Sequence, residues 1–141
     1  EKPKSALAES FRAIRSSLQF LYRKQTVSGT KTLMLTSSVS GEGKTFCCIN
    51  IATVFALSEK RTVIVGLDLR KPKIFDDFNL KNEIGVVNYL IEQNTLDEVT
   101  QKTNIPYLDV ITSGPIPPNP SELIMGETMT NFMNELKSKY L

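Results

Sequence analysis

Apolar positions along the chain change their period several times, and each change predicts an element. Between Ser5 and about Lys24, the residues Leu7, Phe11, Ile14, Leu18, Leu21 and Tyr22 recur every three or four positions. That spacing draws one stripe along an amphipathic helix. Gln25 to Lys31, with Ser28-Gly29-Thr30 at its centre, interrupts the stripe as a turn-rich connector. Thr32 to Ser37 then reads as a short strand. From Lys44 to about Ser58 the apolar residues (Phe46, Cys47, Ile49, Ala52, Val54, Phe55, Leu57) fall nearly all round the wheel. A helix of that kind is expected to be covered on both sides.

Val63-Ile64-Val65-Gly66-Leu67 is a continuous β-rich run, the pattern of a parallel strand with both faces buried. Two short helices are expected at Gly85 to Glu92 and Leu96 to Thr103, followed by a strand from Leu108 to Thr112. The segment Ser113 to Pro120 carries four prolines and can continue neither a ladder nor a helix. A last helix is expected from about Ser121, read as its N-cap, to Lys139, with a break near Gly126. Strands alternating with helices predict an α/β fold: a parallel sheet flanked by helices, with ligands at the carboxyl edge of the strands.

Composition narrows the class without changing this picture. The 141 residues are 40% hydrophobic and 23% charged, ordinary for a globular domain large enough to hold a core. A formal charge of +2, with acids and bases interspersed, gives no electrostatic reason to propose nucleic acid as partner. No apolar run approaches the ~20 residues that span a bilayer, and no signal peptide is recognisable. Cys47 and Cys48 are adjacent within a predicted helix, which suits neither a disulfide nor a zinc site. Histidine is absent, which excludes imidazole catalysis such as a Ser-His-Asp triad.

The candidate chemistry begins at Ser38-Val39-Ser40-Gly41-Glu42-Gly43-Lys44-Thr45. Lying between a predicted strand and a predicted helix, it has the order of a phosphate-binding P-loop, with Ser38 where the usual first glycine would stand. Gly41 and Gly43 let backbone N–H groups close on a phosphate, and the helix N-terminus adds partial positive charge. Lys44 would reach the β- and γ-phosphates, and the Thr45 hydroxyl would ligate Mg²⁺. Asp68 ends the next strand, so the fold rules put it on the same edge, where a carboxylate can hold Mg²⁺ or accept a proton. Arg70 and Lys71 either contact phosphates or remain solvated. Glu9, Arg12 and Arg15 recur every third residue on the first helix. From spacing alone, Glu9 and Arg12 read as a solvated surface pair. The four tyrosines, Tyr22, Tyr89, Tyr107 and Tyr140, are scattered and read as packing residues rather than phosphate acceptors.

Taken together these pieces resemble the bacterial tyrosine kinases, P-loop enzymes that regulate capsule and exopolysaccharide export. The matching stretches are Glu9-x-x-Arg12-x-x-Arg15, Ser38 to Thr45, Val63 to Arg70 and Ser113 to Leu123, in the family's order and across nearly the whole chain. The resemblance implies a MinD/ParA-like P-loop NTPase fold. Residues 1–141 would form part of one kinase domain, with an oligomerisation helix at about 5–24 and a nucleotide-binding core at about 32–141. It implies ATP held by Ser40, Gly41, Glu42, Gly43, Lys44, Thr45 and Phe46, and Mg²⁺ at Thr45 and Asp68, with Lys44 and Asp68 catalytic and Arg70 near phosphate. It places Glu9, Arg12 and Arg15 at a subunit contact in a ring-like homo-oligomer, which displaces the surface-pair reading. The implied partners are a membrane chain-length regulator, fused or separate, and the protein's own C-terminal tyrosine tail; the implied location is the cytoplasmic face of the bacterial inner membrane.

Several departures qualify that likeness. The family's acidic motif usually reads Asp-x-Asp-x-Arg, whereas Gly66 occupies its first position here. Asp68 alone must then serve, or transfer is weaker and the chain acts mainly as a nucleotide-holding, ring-forming regulator. Neither a later strand ending in the usual Walker B aspartate nor a tyrosine-rich tail precedes Leu141, so the sequence is expected to be incomplete. Lys73 stands where some members carry a regulatory tyrosine, so no switch is expected there. The assembly ATPases related to MinD and ParA carry an extra lysine where this chain has Val39.

Overall fold

A computed structural model describes residues 6–24, 29–36, 43–68 and 80–140. The apolar stripe near the N-terminus forms helix α1 (Ala6–Lys24), and the segment after the glycine loop forms α2 (Lys44–Leu57). Strand β1 (Thr62–Val65) follows, then the short helices α3 (Val86–Leu90) and α4 (Leu96–Val99). Strands β2 (Thr100–Lys102) and β3 (Leu108–Ile111) lead into α5 (Pro120–Met125) and α6 (Glu127–Lys139).

Among the described residues the sheet has three strands in the order β1-β3-β2. Strands β1 and β3 are parallel, with Thr62 opposite Leu108 and Val65 opposite Ile111. Alternation along the strands then sorts two cores. Ile64, Leu108 and Val110 face α2, where Ala52 and Ala56 complete one cluster. Ile111 faces the other way, into Val86, Leu90, Leu96, Val99, Phe132 and Leu136 from α3, α4 and α6. Helices therefore cover both faces, and α1 packs outside α2. That is the three-layer arrangement the α/β pattern predicted.

Four expectations are corrected. Leu96 to Thr103 is not one helix: it stops at Val99, and β2 pairs antiparallel with β3, so the sheet is mixed. A capping box at Thr95 and Glu98 starts the turn, but Thr100-Gln101-Lys102 finds ladder partners on the free edge of β3. Tertiary pairing overrides weak local helix preference there. The strand expected at 32–37 carries no ladder over 32–36, and Ser37 lies outside the described residues. Leu33 and Met34 are 44% and 82% exposed, and a cavity of about 1570 Å³ lies between this segment and β1. The last helix has Asn119 rather than Ser121 as its N-cap and starts at Pro120, because proline is tolerated at the first helical position. It breaks at Gly126 as expected. Finally, α2 is covered along its middle only; Phe46 and Leu57 at its ends are exposed.

Candidate functional site

The site is built on the amino end of α2. Gly43 has φ +84° and ψ +18°, the left-handed region, which suits glycine at the entrance to the helix. Among the described residues no side chain caps this helix, and no acidic residue occupies its first turn. The first amides of an α-helix have no intrahelical acceptor, so those of Lys44, Thr45 and Phe46 are left for an anion. Cys47 is the first to be satisfied, donating to the Gly43 carbonyl at 3.0 Å. The positive end of the helix macrodipole and the Lys44 ammonium add charge at the same place.

The parallel pairing of β1 and β3 supplies the other wall. Gly66 N–H donates to the Ile111 carbonyl at 2.8 Å, extending the ladder beyond Val65, and Asp68 follows at the carboxyl edge. Gly43, Lys44, Thr45, Gly66, Asp68 and Ser113 all line the same cavity. The expected lysine, threonine and aspartate therefore line one large cavity, along with residues from α1, α2, β1 and α6. Among the described residues no cluster of three His, Cys, Asp or Glu side chains forms a self-sufficient metal cage. The Thr45 hydroxyl and the Asp68 carboxylate are instead hard oxygen donors of the kind that hold Mg²⁺ together with phosphate oxygens and water. Ser40, Gly41, Glu42 and Arg70 lie outside the described residues.

Phe46, expected to contact nucleotide, packs edge-on against Phe11 of α1, with ring centroids 6.0 Å apart. Arg15 has a role the spacing did not reveal. Its Nη1 donates to the Val54 carbonyl at 2.8 Å, in the last turn of α2. That turn carries no basic residue of its own. A guanidinium from α1 therefore satisfies an orphan carbonyl and opposes the negative end of the dipole. Glu9 is exposed and Arg12 half-buried on the same helix. Burial, then the neighbouring Cys47, pushes the Cys48 thiol up, which keeps it protonated and unfit as a nucleophile.

Sequence reasoning missed the knot that fixes the start of the proline loop. Val86 and Val87 N–H donate to the carbonyls of Thr112 (2.8 Å) and Ser113 (3.0 Å). Asn82 grips Gly114 twice, Nδ2 donating to its carbonyl at 3.0 Å and Oδ1 accepting from its amide at 2.9 Å. Asn88 Oδ1 accepts from the Gly85 amide at 2.9 Å. The only signal in the chain was the clustering of Asn and Gly at turn positions.

No family model matches the chain. It is 37% identical over 139 residues to "Tyrosine-protein kinase YwqD" of Bacillus subtilis (strain 168), covering 99% of this chain and 57% of that protein. It is 38% identical over 140 residues to "Putative tyrosine-protein kinase CapB" of Staphylococcus aureus, covering 99% of this chain and 60% of the relative. Among solved structures, the chimerical protein CapA2B2 superposes with a TM-score of 0.91 at 39% identity, over 99% of this chain and 60% of that one. The kinase domain of Escherichia coli tyrosine kinase ETK gives the same TM-score at 33% identity, over 99% and 54%. The chain belongs to the bacterial tyrosine kinase family. It has the P-loop fold of that family's kinase domains. The 141 residues span a little over half the length of these relatives. Among the described residues, no helix is long and apolar enough to cross a membrane.

Proposed function

We propose that this chain is the nucleotide-binding part of an ATP-dependent protein-tyrosine kinase of bacterial type, acting in the control of capsular or exopolysaccharide synthesis and export. The observation that carries the reading is the uncapped amino end of α2, with Gly43, Lys44 and Thr45, facing the same cavity as Asp68. The amides of the first turn and Lys44 would bind the β- and γ-phosphates of ATP, with Ser40, Gly41 and Glu42 completing the loop and Arg70 adding charge. Thr45 and Asp68 would hold Mg²⁺, which when bound neutralises charge on the transferring phosphoryl group.

In the transfer, the acceptor tyrosine oxygen forms a bond to the γ-phosphorus as the bond to the bridging oxygen of ADP breaks. The phenolic proton leaves through Asp68, and Lys44 offsets charge that develops on the phosphate oxygens. In the assembled protein Glu9, Arg12 and Arg15 would contact a neighbouring copy in a ring. A membrane chain-length regulator would activate the domain at the cytoplasmic face of the inner membrane, and the C-terminal tyrosine tail would be the acceptor.

Gly66 favours a second reading. With the first acidic position empty, the protein could hold nucleotide and assemble without efficient transfer. Full-length protein incubated with MgATP separates the two. Phosphotyrosine that falls at least about 100-fold on Lys44→Met supports the kinase. Nucleotide binding without phosphotyrosine or hydrolysis supports the regulator, and hydrolysis alone supports an assembly ATPase.

A further inference from the structure

Of the chain's four tyrosines, only Tyr107 is exposed, at 51%. Tyr22 is half-buried on α1 and Tyr140 is buried. The hydroxyls of Tyr89 and Tyr140 are occupied, donating to Glu135 Oε1 at 2.9 Å and Asp109 Oδ2 at 2.7 Å. Among the described residues the Tyr107 hydroxyl has no hydrogen-bond partner. The packing role that its scattered position suggested does not hold for this one.

Its backbone is unusual as well. Leu108 N–H donates to the Ile105 carbonyl at 3.2 Å, closing a four-residue turn with Pro106 and Tyr107 in the middle. Tyr107 has φ +70°. Proline followed by a positive φ is the type II turn, whose third position calls for glycine or asparagine. Among the described residues the other two non-glycine residues with positive φ, Glu59 and Glu92, follow the ends of α2 and α3. The Tyr107 carbonyl accepts from Thr62 N–H at 2.8 Å, so the turn is held from both sides. A large aromatic therefore occupies a strained position while about half of its surface stays exposed. Such an outlier points to a role outside packing.

We propose that Tyr107 is a phosphate acceptor of the protein, modified in trans by a second copy. This rests on the kinase reading above. The turn lies at the amino edge of β3, whereas Asp68 and Ser113 lie at the carboxyl edge. Four residues of strand separate the edges by roughly 13 Å, and Tyr107 is not among the residues lining its own chain's cavity. A tight, rigid turn presents the phenol to another copy's cavity with little conformational entropy left to lose. In the reaction the Tyr107 oxygen bonds to the γ-phosphorus of MgATP held by the other copy, ADP leaves with the bridging oxygen, and the phenolic proton passes to that copy's Asp68. Lys60 and Arg61 enter β1 beside the turn, since Thr62 is in register with Leu108. Their charge favours the dianionic product.

The test uses full-length protein. A Lys44→Met copy, unable to phosphorylate itself, is mixed with active protein and MgATP, and phosphotyrosine is mapped by mass spectrometry. Phosphate is expected at residue 107 of the Lys44→Met copy and at background in the Lys44→Met/Tyr107→Phe copy. Phosphotyrosine at other positions but not at 107 overturns this inference and leaves the kinase reading standing. No phosphotyrosine anywhere overturns both. The melting temperature of Tyr107→Asn gives an independent check: it is expected to stay level or rise by about 2–4 °C. A clear fall would show the ring to be structural and remove the ground for the proposal.

Discussion

Gly43 and Gly85 both belong to the site's frame, but for opposite physical reasons. Gly43 sits at φ +84° with open space where a side chain would go. Gly43→Ala therefore costs only the backbone strain of a left-handed residue, about 1–2 kcal/mol, read as a modest shift in the denaturation midpoint. A Cβ on Gly85 would stand 2.1 Å from the Thr112 carbonyl oxygen and 2.3 Å from the Gly114 amide nitrogen. Both are backbone atoms and cannot swing aside. Gly85→Ala is expected to cost ~3 kcal/mol or more, at or beyond the top of the usual overpacking range, and to lower the urea midpoint well below that of Gly43→Ala. Equal midpoints for the two variants would rule out the close approach at Gly85. The first glycine was legible in the sequence because it belongs to a motif with fixed order. The second was not, because its constraint comes from a segment almost thirty positions away.

Helices and strands show the same division between local and distant causes. The positions of α1, α2, β1 and β3 followed from apolar period alone, within one or two residues. The end of α4 did not, because Thr100 to Lys102 becomes a strand only when β3 offers an edge. Arg15 is a case of an element stabilised by its neighbour. Arg15→Ala leaves the Val54 carbonyl without its charged donor and is expected to destabilise by about 1–2 kcal/mol, whereas a surface substitution at Glu9 changes little. Thermal melts of the two variants check this. Helices α3 and α6 are tied by Tyr89, whose ring lies 5.1 Å from that of Phe132. Burial first, then the hydrogen bond to Glu135, pushes the Tyr89 hydroxyl up to about 12. A group whose folded value is raised stabilises fully below its unfolded value, near 10 for tyrosine, and loses that contribution as pH climbs through the folded value. The stability gap between the native protein and Tyr89→Phe is therefore expected to shrink between about pH 10 and pH 12. Denaturation curves at pH 9, 10, 11 and 12 measure it, and a constant gap would exclude the contact. Burial and Asp109 also raise the Tyr140 hydroxyl.

Across the whole molecule, the fold class and the position of Lys44, Thr45 and Asp68 along one large cavity were readable from the order of elements and the glycine loop. What the pattern could not supply was the seating of 32–36. An apolar run becomes a strand only beside a partner edge, and here the cavity separates it from β1. The ring contacts proposed for Glu9, Arg12 and Arg15 are likewise beyond a single chain's packing, since they depend on what lies outside it.

The crossing of Gly85 and Gly114 also orders the molecule in time. Val86, Val87 and Gly114 donate their amides into a buried knot that opens only if α3 and the proline loop part together. In heavy water these protons should outlast nearly all others, exchanging only through global unfolding. The amides of 32–36, with no ladder to protect them, should be gone within the first minutes. The wall that holds the carboxyl edge of the sheet would then be the slowest clock in the protein, beside a segment that is among its fastest.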